Sequence, residues 1–377
     1  MKRIRILVFI LCACFVSAAW GQHAACPAYV NWTEFHTIDM MRWNPCEKVL
    51  SVSNVGSLSL KWRRALPDNG ITSSPAMANG VVYIGSFAGY VYALNASTGT
   101  LMRRYITGSY VTSSPAVANG VVYVGSNDNN VYALNVSTGA LLWSYTTGGI
   151  VDSSPAVVDG VVYVGSYDNN VYALNASTGA LLWSYTTGGA VESSPAVANG
   201  VVYVGSDDNN VYALNASTGA LLWSYTTGNM AYSSPAVANG VVYVGSYDNS
   251  LYALNASTGA LLWSYTTGGA VESSPAVANG VVYVGSQDEK VYALRASTGT
   301  LLWSYTTHGI VGSSPAVANG VVYVGSWDGY VYALNAKSGA KLWSSGTGYL
   351  VQSSPTVANG VVYVASDNDN VYAFWVK

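Results

Sequence analysis

The chain has 377 residues, half of them hydrophobic and 9% charged, with a formal net charge of −3. An ordinary soluble domain carries about a quarter charged residues, and a chain this apolar is not a disordered one. Length alone suggests two or three domains, but repeat arrays are the exception, and one repeat domain is the expected count.

Residues 1–22, MKRIRILVFILCACFVSAAWGQ, place Lys2, Arg3 and Arg5 ahead of an apolar run over residues 6–16, followed by the small residues Ser17, Ala18 and Ala19. This is the tripartite pattern of a secretory signal, too short to span a membrane as a permanent helix. Cleavage near Ala18 or Ala19 sets residues 1–19 apart as a signal peptide. The rival reading is lipid attachment at Cys14, because Leu11-Cys12-Ala13-Cys14 loosely resembles a bacterial lipobox. Either reading predicts an exported protein, periplasmic or secreted, and no other segment is long enough to span a bilayer.

Cys12 and Cys14 belong to the signal, which leaves Cys26 and Cys46. In an oxidising compartment two cysteines in one short segment are expected to pair; a free catalytic thiol is the alternative, for which the sequence places no histidine partner. Residues 20–57, with Trp32, Trp43 and Pro45, lie outside any repeat. An extended, irregular arm is predicted there, lying on the repeat body and fixed by its aromatics and the disulfide.

Residues 57–66, SLSLKWRRAL, align with the end of a unit whose near-copies begin at Ser73, Ser113, Ser153, Ser193, Ser233, Ser273, Ser313 and Ser353, always 40 residues apart. A fixed period of this length marks a repeat architecture, in which one unit buries its apolar face only by stacking on its neighbours. Each copy shows four short strand patterns, of the type SSPAVA, VVYVGS, VYALNA and ALLWSYTT, separated by Asn-Gly, Asp-Asn-Asn and Ser-Thr-Gly turn signals. Valine and tyrosine at this density with such turns read as antiparallel hairpins. The proline of each copy, Pro75 to Pro355, falls near the start of the first strand, where an edge tolerates a missing donor. That strand is therefore placed innermost.

A four-stranded antiparallel sheet repeated radially is a propeller blade. The expected fold is all-β, an eight-bladed β-propeller over residues 58–377. The last copy stops at Trp375, before its own fourth strand, so residues 57–66 supply it and an N-terminal outer strand closes the ring. Closure removes two open edges. An open solenoid would need capping repeats, and the end copies show none.

The segment ALNASTGALLW, residues 173–183, resembles the tryptophan-docking motif of the pyrroloquinoline quinone (PQQ)-like propeller repeats, Ala-x-Asp-x-x-Thr-Gly-x-x-x-Trp. Asparagine replaces the aspartate at Asn95, Asn135, Asn175, Asn215, Asn255 and Asn335, and Arg295 takes that place in the sixth copy. The lead-in NVGSLSLKW, residues 54–62, resembles that of quinoprotein dehydrogenases. The resemblance covers about residues 30–377 and implies the fold more strongly than an activity, because the family also includes non-catalytic scaffolds such as the outer-membrane-protein assembly lipoprotein. It implies that Trp62, Trp143, Trp183, Trp223, Trp263, Trp303 and Trp343 wedge between neighbouring blades. Arg103 occupies this place in the first copy, whose seam is expected to be looser or differently paired.

The copies differ in two places. One position of the second turn reads Phe87, Asn127, Tyr167, Asp207, Tyr247, Gln287, Trp327 and Asp367; the position before each Ser-Ser reads Thr72, Thr112, Asp152, Glu192, Tyr232, Glu272, Gly312 and Gln352. In a meandering blade these connections emerge on one face, and with them Asp128, Asp168, Asp208, Asp248, Asp288 and Asp328 against one base, Lys290. A negative face attracts cations or a basic partner and repels nucleic acid. Tight turns account for most of the second-turn aspartates, but not for Asp152, Glu192 and Glu272. Those three, with Tyr110, Tyr232 and Gln352, are the candidate binding residues. The basic residues Lys61, Arg63, Arg64, Arg103, Arg104 and Lys341 fall on three adjacent outer strands.

His23, His36 and His308 do not cluster, so neither a metal ligand set nor a nucleophilic triad assembles from them. No catalytic or metal residue is assigned. The expectation is an exported, monomeric, non-catalytic scaffold that binds a protein partner in the envelope or outside the cell, without nucleic acid or cofactor. The alternative is a PQQ-dependent alcohol or sugar oxidoreductase with Ca²⁺. That cofactor carries three carboxylates, and an acidic mouth is the wrong electrostatics for it unless metal intervenes.

Overall fold

The computed structural model describes residue 26 and residues 31–36, 40–67 and 70–377. The signal segment, Cys14 and His23 lie outside them. In the third copy, strands Ala156–Val158, Val161–Gly165, Asn170–Asn175 and Leu181–Thr186 pair antiparallel in sequence order. Asp159 at φ 51° and Gly160 at φ 78° make the first turn. Both values are left-handed, as a type I′ hairpin requires, which is why this position repeats as Asn or Asp followed by Gly. A bulge opposite Ala173 and Leu174 drops Leu182 from the register. Trp183 is thereby turned inward while Leu181 and Leu182 stay exposed.

Eight such sheets are present. The last consists of Thr356–Ala358, Val361–Ser366 and Asn370–Trp375, completed by Ser59–Ala65 with Ser59 opposite Trp375 and Ala65 opposite Asn370. The ring is thus the eight-bladed propeller expected, closed by its N-terminal outer strand. Its core lies between adjacent sheets: Ala173 and Trp183 of the third copy pack in one cluster with Val202, Val204, Tyr212 and Leu214 of the fourth. Each seam tryptophan donates its Nε1–H to a backbone carbonyl of the following blade, and all but Trp343, which packs on Phe374, lay the ring over a glycine there. Trp143 reaches Ala176 at 2.9 Å, Trp183 Ala216 at 2.9 Å and Trp62 Ala96 at 3.0 Å. Trp223, Trp263 and Trp303 do the same to Ala256, Ala296 and Ala336, and Trp343 to Leu58. A Cβ on Gly179 would fall 2.7 Å from the Trp143 ring, so only glycine admits the indole.

The repeated Ser-Ser pair builds a second closure. The amide of Ser74 donates to the Ser114 hydroxyl at 2.9 Å, Ser114 to Ser154, and so on around the axis until Ser354 donates to Ser74, also at 2.9 Å. In seven of the eight pairs the first serine caps the end of the second strand of its own blade, as Ser153 Oγ does for the Gly165 amide at 3.0 Å.

The arm does not merely lie on the ring; it enters it. Residues 32–36 and 40–44 lie along the channel at the end that carries the Asn-Gly turns and meet the inner strand of each blade in order. Trp32 exchanges backbone bonds with Met77, the Thr33 carbonyl accepts from Val117, and the Glu34 carboxylate accepts from Val157. His36 contacts the Ser194 carbonyl, Met40 and Met41 accept from Val237 and Val277, and Arg42 accepts from Val317. Trp43–Asn44 then pairs parallel with Ala316–Ala318, and the Asn44 amide donates to Val357. These inner strands have no neighbour on the axial side, so the arm satisfies backbone donors that would otherwise be stranded. Sequence reading predicted contact but not this route.

The Arg42 guanidinium, 1% exposed, donates to the carbonyls of Phe35, Ser314, Pro315 and Pro355 and stands 4.5 Å from the Phe35 ring centre. Burial pulls it down to about 9, so it stays charged at neutral pH. A disulfide joins Cys26 and Cys46. Among the described residues no helix is long and apolar enough to cross a membrane.

Candidate functional site

The opposite end of the channel carries the second turns and the blade-to-blade loops. From the second copy on, the residue before Ser-Ser meets the second-turn residue fifteen positions later. Thr112 donates to Asn127 at 3.2 Å, Gln287 to Glu272 at 3.2 Å and Gln352 to Asp367 at 2.5 Å, and the rings of Tyr232 and Tyr247 meet edge-on at 5.6 Å.

Links also cross from blade to blade. Thr112 donates to Asp152, and Tyr247 to Glu272. Glu192 accepts from Tyr167 and from Tyr232 and lies beside Asp207, while Tyr167 also donates to Asp152. Of the candidate residues, Asp152, Glu192, Tyr232 and Glu272 therefore belong to one connected cluster. Tyr110 and Gln352 do not join it: Tyr110, more than half exposed, stacks on Phe87 at 5.3 Å, and Gln352 serves Asp367.

Burial raises the Glu192 carboxyl above the ordinary range; the two tyrosine hydroxyls work against this, and the charges of Asp207 and Asp152 add to it. Asp207 is raised as well, by burial and by Asp208. Burial thus disfavours charge on both of these neighbouring carboxyls. The tyrosine hydroxyls of 167, 232 and 247 are raised by burial and by these carboxylates, so they remain donors.

The second-turn aspartates do different work. Asp168 accepts from the Asn170 amide at 3.0 Å, from the Tyr172 hydroxyl at 2.6 Å and from the Gly148 amide of the preceding blade at 2.5 Å. Asp128, Asp208, Asp248 and Asp288 make the same three kinds of contact. Burial raises Asp168, but the bonds from Tyr172, Gly148 and Asn170 together hold it below its usual value. These are blade clamps, as turn chemistry suggested.

Sequence reasoning missed Tyr167, Tyr247 and Asp207 as members of the cluster, although their position was visibly variable; the signal was the constant fifteen-residue offset. It also passed over Trp327. The Trp327 Nε1–H and one oxygen of Asp207 find no partner among the described residues. A Cβ on Gly312 would lie 3.5 Å from Glu272 and 3.6 Å from the Trp327 Nε1. Glycine there leaves the buried, unpartnered Trp327 Nε1–H bordering the same space as Glu272, whose Oε2 accepts from Gln287. Lys290, the one base of these turns, pairs with Asp288 at 3.8 Å. The described residues contain no group of three or more His, Cys, Asp or Glu placed to hold a metal ion.

Four overlapping stretches, residues 51–151, 146–235, 231–312 and 307–377, match the family described as outer membrane protein assembly factor BamB. No curated protein sequence matches the chain. Among solved structures, BamB from Moraxella catarrhalis superposes with a TM-score of 0.75 at 21% identity, covering 84% of this chain and 99% of that one. The quinohemoprotein alcohol dehydrogenase from Pseudomonas putida gives 0.81 at 20% identity, over 92% and 80%. The computationally designed Ika8 protein gives 0.75 at 20%, over 83% and 98%. At these identities the superpositions speak to fold alone.

Proposed function

Since the chain belongs to the family described as outer membrane protein assembly factor BamB, we propose that it is an exported, non-catalytic scaffold that binds a protein partner through the mouth formed by Asp152, Glu192, Asp207 and Glu272. The supporting observation is the chain of hydrogen-bonded carboxylates and tyrosines across four successive blades, with no cation among them. Held rigid by Tyr167, Tyr232 and Tyr247, it offers acceptors and an aromatic floor to a basic segment, the pairing that gives both steering and register. The partner class that fits is a protein carrying exposed arginine or lysine.

The fold likeness to a quinohemoprotein alcohol dehydrogenase motivates a second reading, PQQ-dependent oxidation. The residues do not suit that cofactor. Its three carboxylates need cations at the axial mouth, where this chain places carboxylates; the axial cation, Arg42, sits at the other end with its donors committed to backbone carbonyls.

The deciding experiment is crosslinking in the native envelope, comparing the unaltered chain with D152N/E192Q/E272Q. The scaffold reading expects a protein adduct that the triple variant loses. An unchanged adduct would remove the mouth as the interface, and stoichiometric binding of PQQ with Ca²⁺ and dye-linked alcohol oxidation would replace the reading altogether.

A further inference from the structure

The seam between the first and second copies is built unlike the others. Arg103 stands where seven copies carry tryptophan, opposite Ala93 as Trp183 is opposite Ala173. Its Nη1 donates at 3.3 Å to the Val136 carbonyl, the position an indole N–H reaches elsewhere. Tyr105 has moved into part of the vacated volume. Its counterpart Tyr145 packs on Tyr172 at 5.6 Å, whereas Tyr105 is 3% exposed, lies against Gly139 and approaches the Val136 carbonyl at 3.5 Å.

A phenol and a guanidinium do not fill the space of an indole with its neighbours. What remains is a cavity of about 560 Å³ lined by Tyr83, Ala93, Met102, Arg103, Val117 and Val136. Tyr83, Ala93 and Val136 are the counterparts of Tyr163, Ala173 and Ala216, the residues that flank Trp183. Tyr105 takes the indole's place over Gly139, and the cavity keeps the Tyr83, Ala93 and Val136 walls and extends past Asn31, Thr33, Asn79 and Asn119.

Two polar groups in it lack their usual partners. In six other copies the tyrosine corresponding to Tyr83 donates to the seam carbonyl, as Tyr163 does to Ala216 at 3.1 Å. The Tyr83 hydroxyl makes no hydrogen bond to any described residue although the side chain is 4% exposed. Burial and then Tyr105 raise it to about 12, with Arg103 opposing, so it remains a donor close to the guanidinium. Among the described residues Arg103 has no carboxylate partner, and the one ion pair joins Lys290 and Asp288.

We propose that this seam is a binding site for a small aromatic monocarboxylate. The ring enters the space that Tyr105 leaves beside Tyr83, Ala93 and Met102, and the carboxylate meets the fork of Arg103, with Tyr83 as a second donor. The volume falls within the range of about 300–1,000 Å³ typical of small-molecule pockets. One cation at the cavity selects one negative charge. The site opens on the face of the Asn-Gly turns, remote from the acidic mouth, and stands independently of the scaffold reading.

Indole-3-propionate is a suitable probe, titrated calorimetrically into the full mature chain. Saturable one-site binding is expected, weakened about tenfold or more in R103M, which keeps the apolar stem and removes the charged donor. R103W, which supplies the eighth indole, is expected to abolish binding and raise the melting temperature. The neutral amide of the probe should bind the unaltered chain and R103M alike. No saturable binding at about 1 mM probe, undiminished binding by R103M, or binding by a folded R103W at unaltered strength would each overturn the proposal.

Discussion

The Ser354 amide donates to the Ser74 hydroxyl at 2.9 Å across 280 residues of sequence, with the same geometry that joins Ser114 to Ser154. The seam between the last and first copies is therefore no weaker at the axis than an interior one. Ser74→Ala and Ser154→Ala each leave one buried amide without an acceptor, a loss of about 1–3 kcal/mol. Urea denaturation should give equal costs for the two. A neutral Ser74→Ala beside a costly Ser154→Ala would mean that the ring stands open in solution.

The seam indoles should dominate stability. Trp183→Ala removes a ring that is 8% exposed and a 2.9 Å bond to Ala216, with an expected cost of about 3–5 kcal/mol. Trp183→Phe keeps most of the apolar volume and should recover more than half of that, which thermal melts of the two variants would show.

Inside the channel Glu34 and His36 titrate in opposite senses. Burial raises Glu34 from 4.5 to about 7, against the bond from the Val157 amide; between those values the folded chain holds more protons than the unfolded one, and stability falls as pH rises. His36 is lowered from 6.5 to about 3, first by burial and then by the Arg42 charge; over that span the unfolded chain holds more protons, and stability rises with pH. The slopes, each on the order of 1.4 kcal/mol per pH unit, cancel between pH 4.5 and 6.5. Glu34→Gln should uncover the histidine slope and His36→Gln the opposite one, read from denaturation midpoints at about pH 5 and 6. Parallel pH profiles in both variants would refute the assignment.

The disulfide closes the arm at a separation of 20 residues. Cys46→Ser should lower stability by up to about 3 kcal/mol, with new proteolytic cleavage concentrated before residue 58. Cleavage spread evenly through the blades would show that the bridge supports the whole ring instead.

In the mouth, Tyr167→Phe removes a donor shared by Asp152 and Glu192. The Glu192 carboxyl should then titrate at still higher pH, followed by carboxyl NMR shifts. A downward move would contradict the hydrogen bond.

The blade was readable because every copy repeats the same turn chemistry, Asn79-Gly80 through Asn359-Gly360, and because SLSLKWRRAL has no other place to go. The arm was not. Residues 32–44 lack an alternating pattern, and their partners lie as far as 313 residues away, as for Asn44 and Val357. The Ser-Ser pair was in view in all eight copies, yet its ring of bonds has meaning only once the blades close. At the mouth, Asp152, Glu192 and Glu272 stood out by charge, whereas Tyr167 and Tyr247 were read as turn residues, because a fifteen-residue offset becomes a contact only across a twisted sheet.

The third and fourth copies are nearly the same sequence, so the blades alone do not distinguish a ring of eight from one that has skipped a member. The arm does. From Trp32 at Met77 to Asn44 at Val357 it sets down one anchor per inner strand, in order, and so works as a gauge of circumference. A chain shortened by residues 153–192 would keep every blade-to-blade surface intact and still leave an anchor with no strand to meet. The copy number is written in the arm as well as in the repeats.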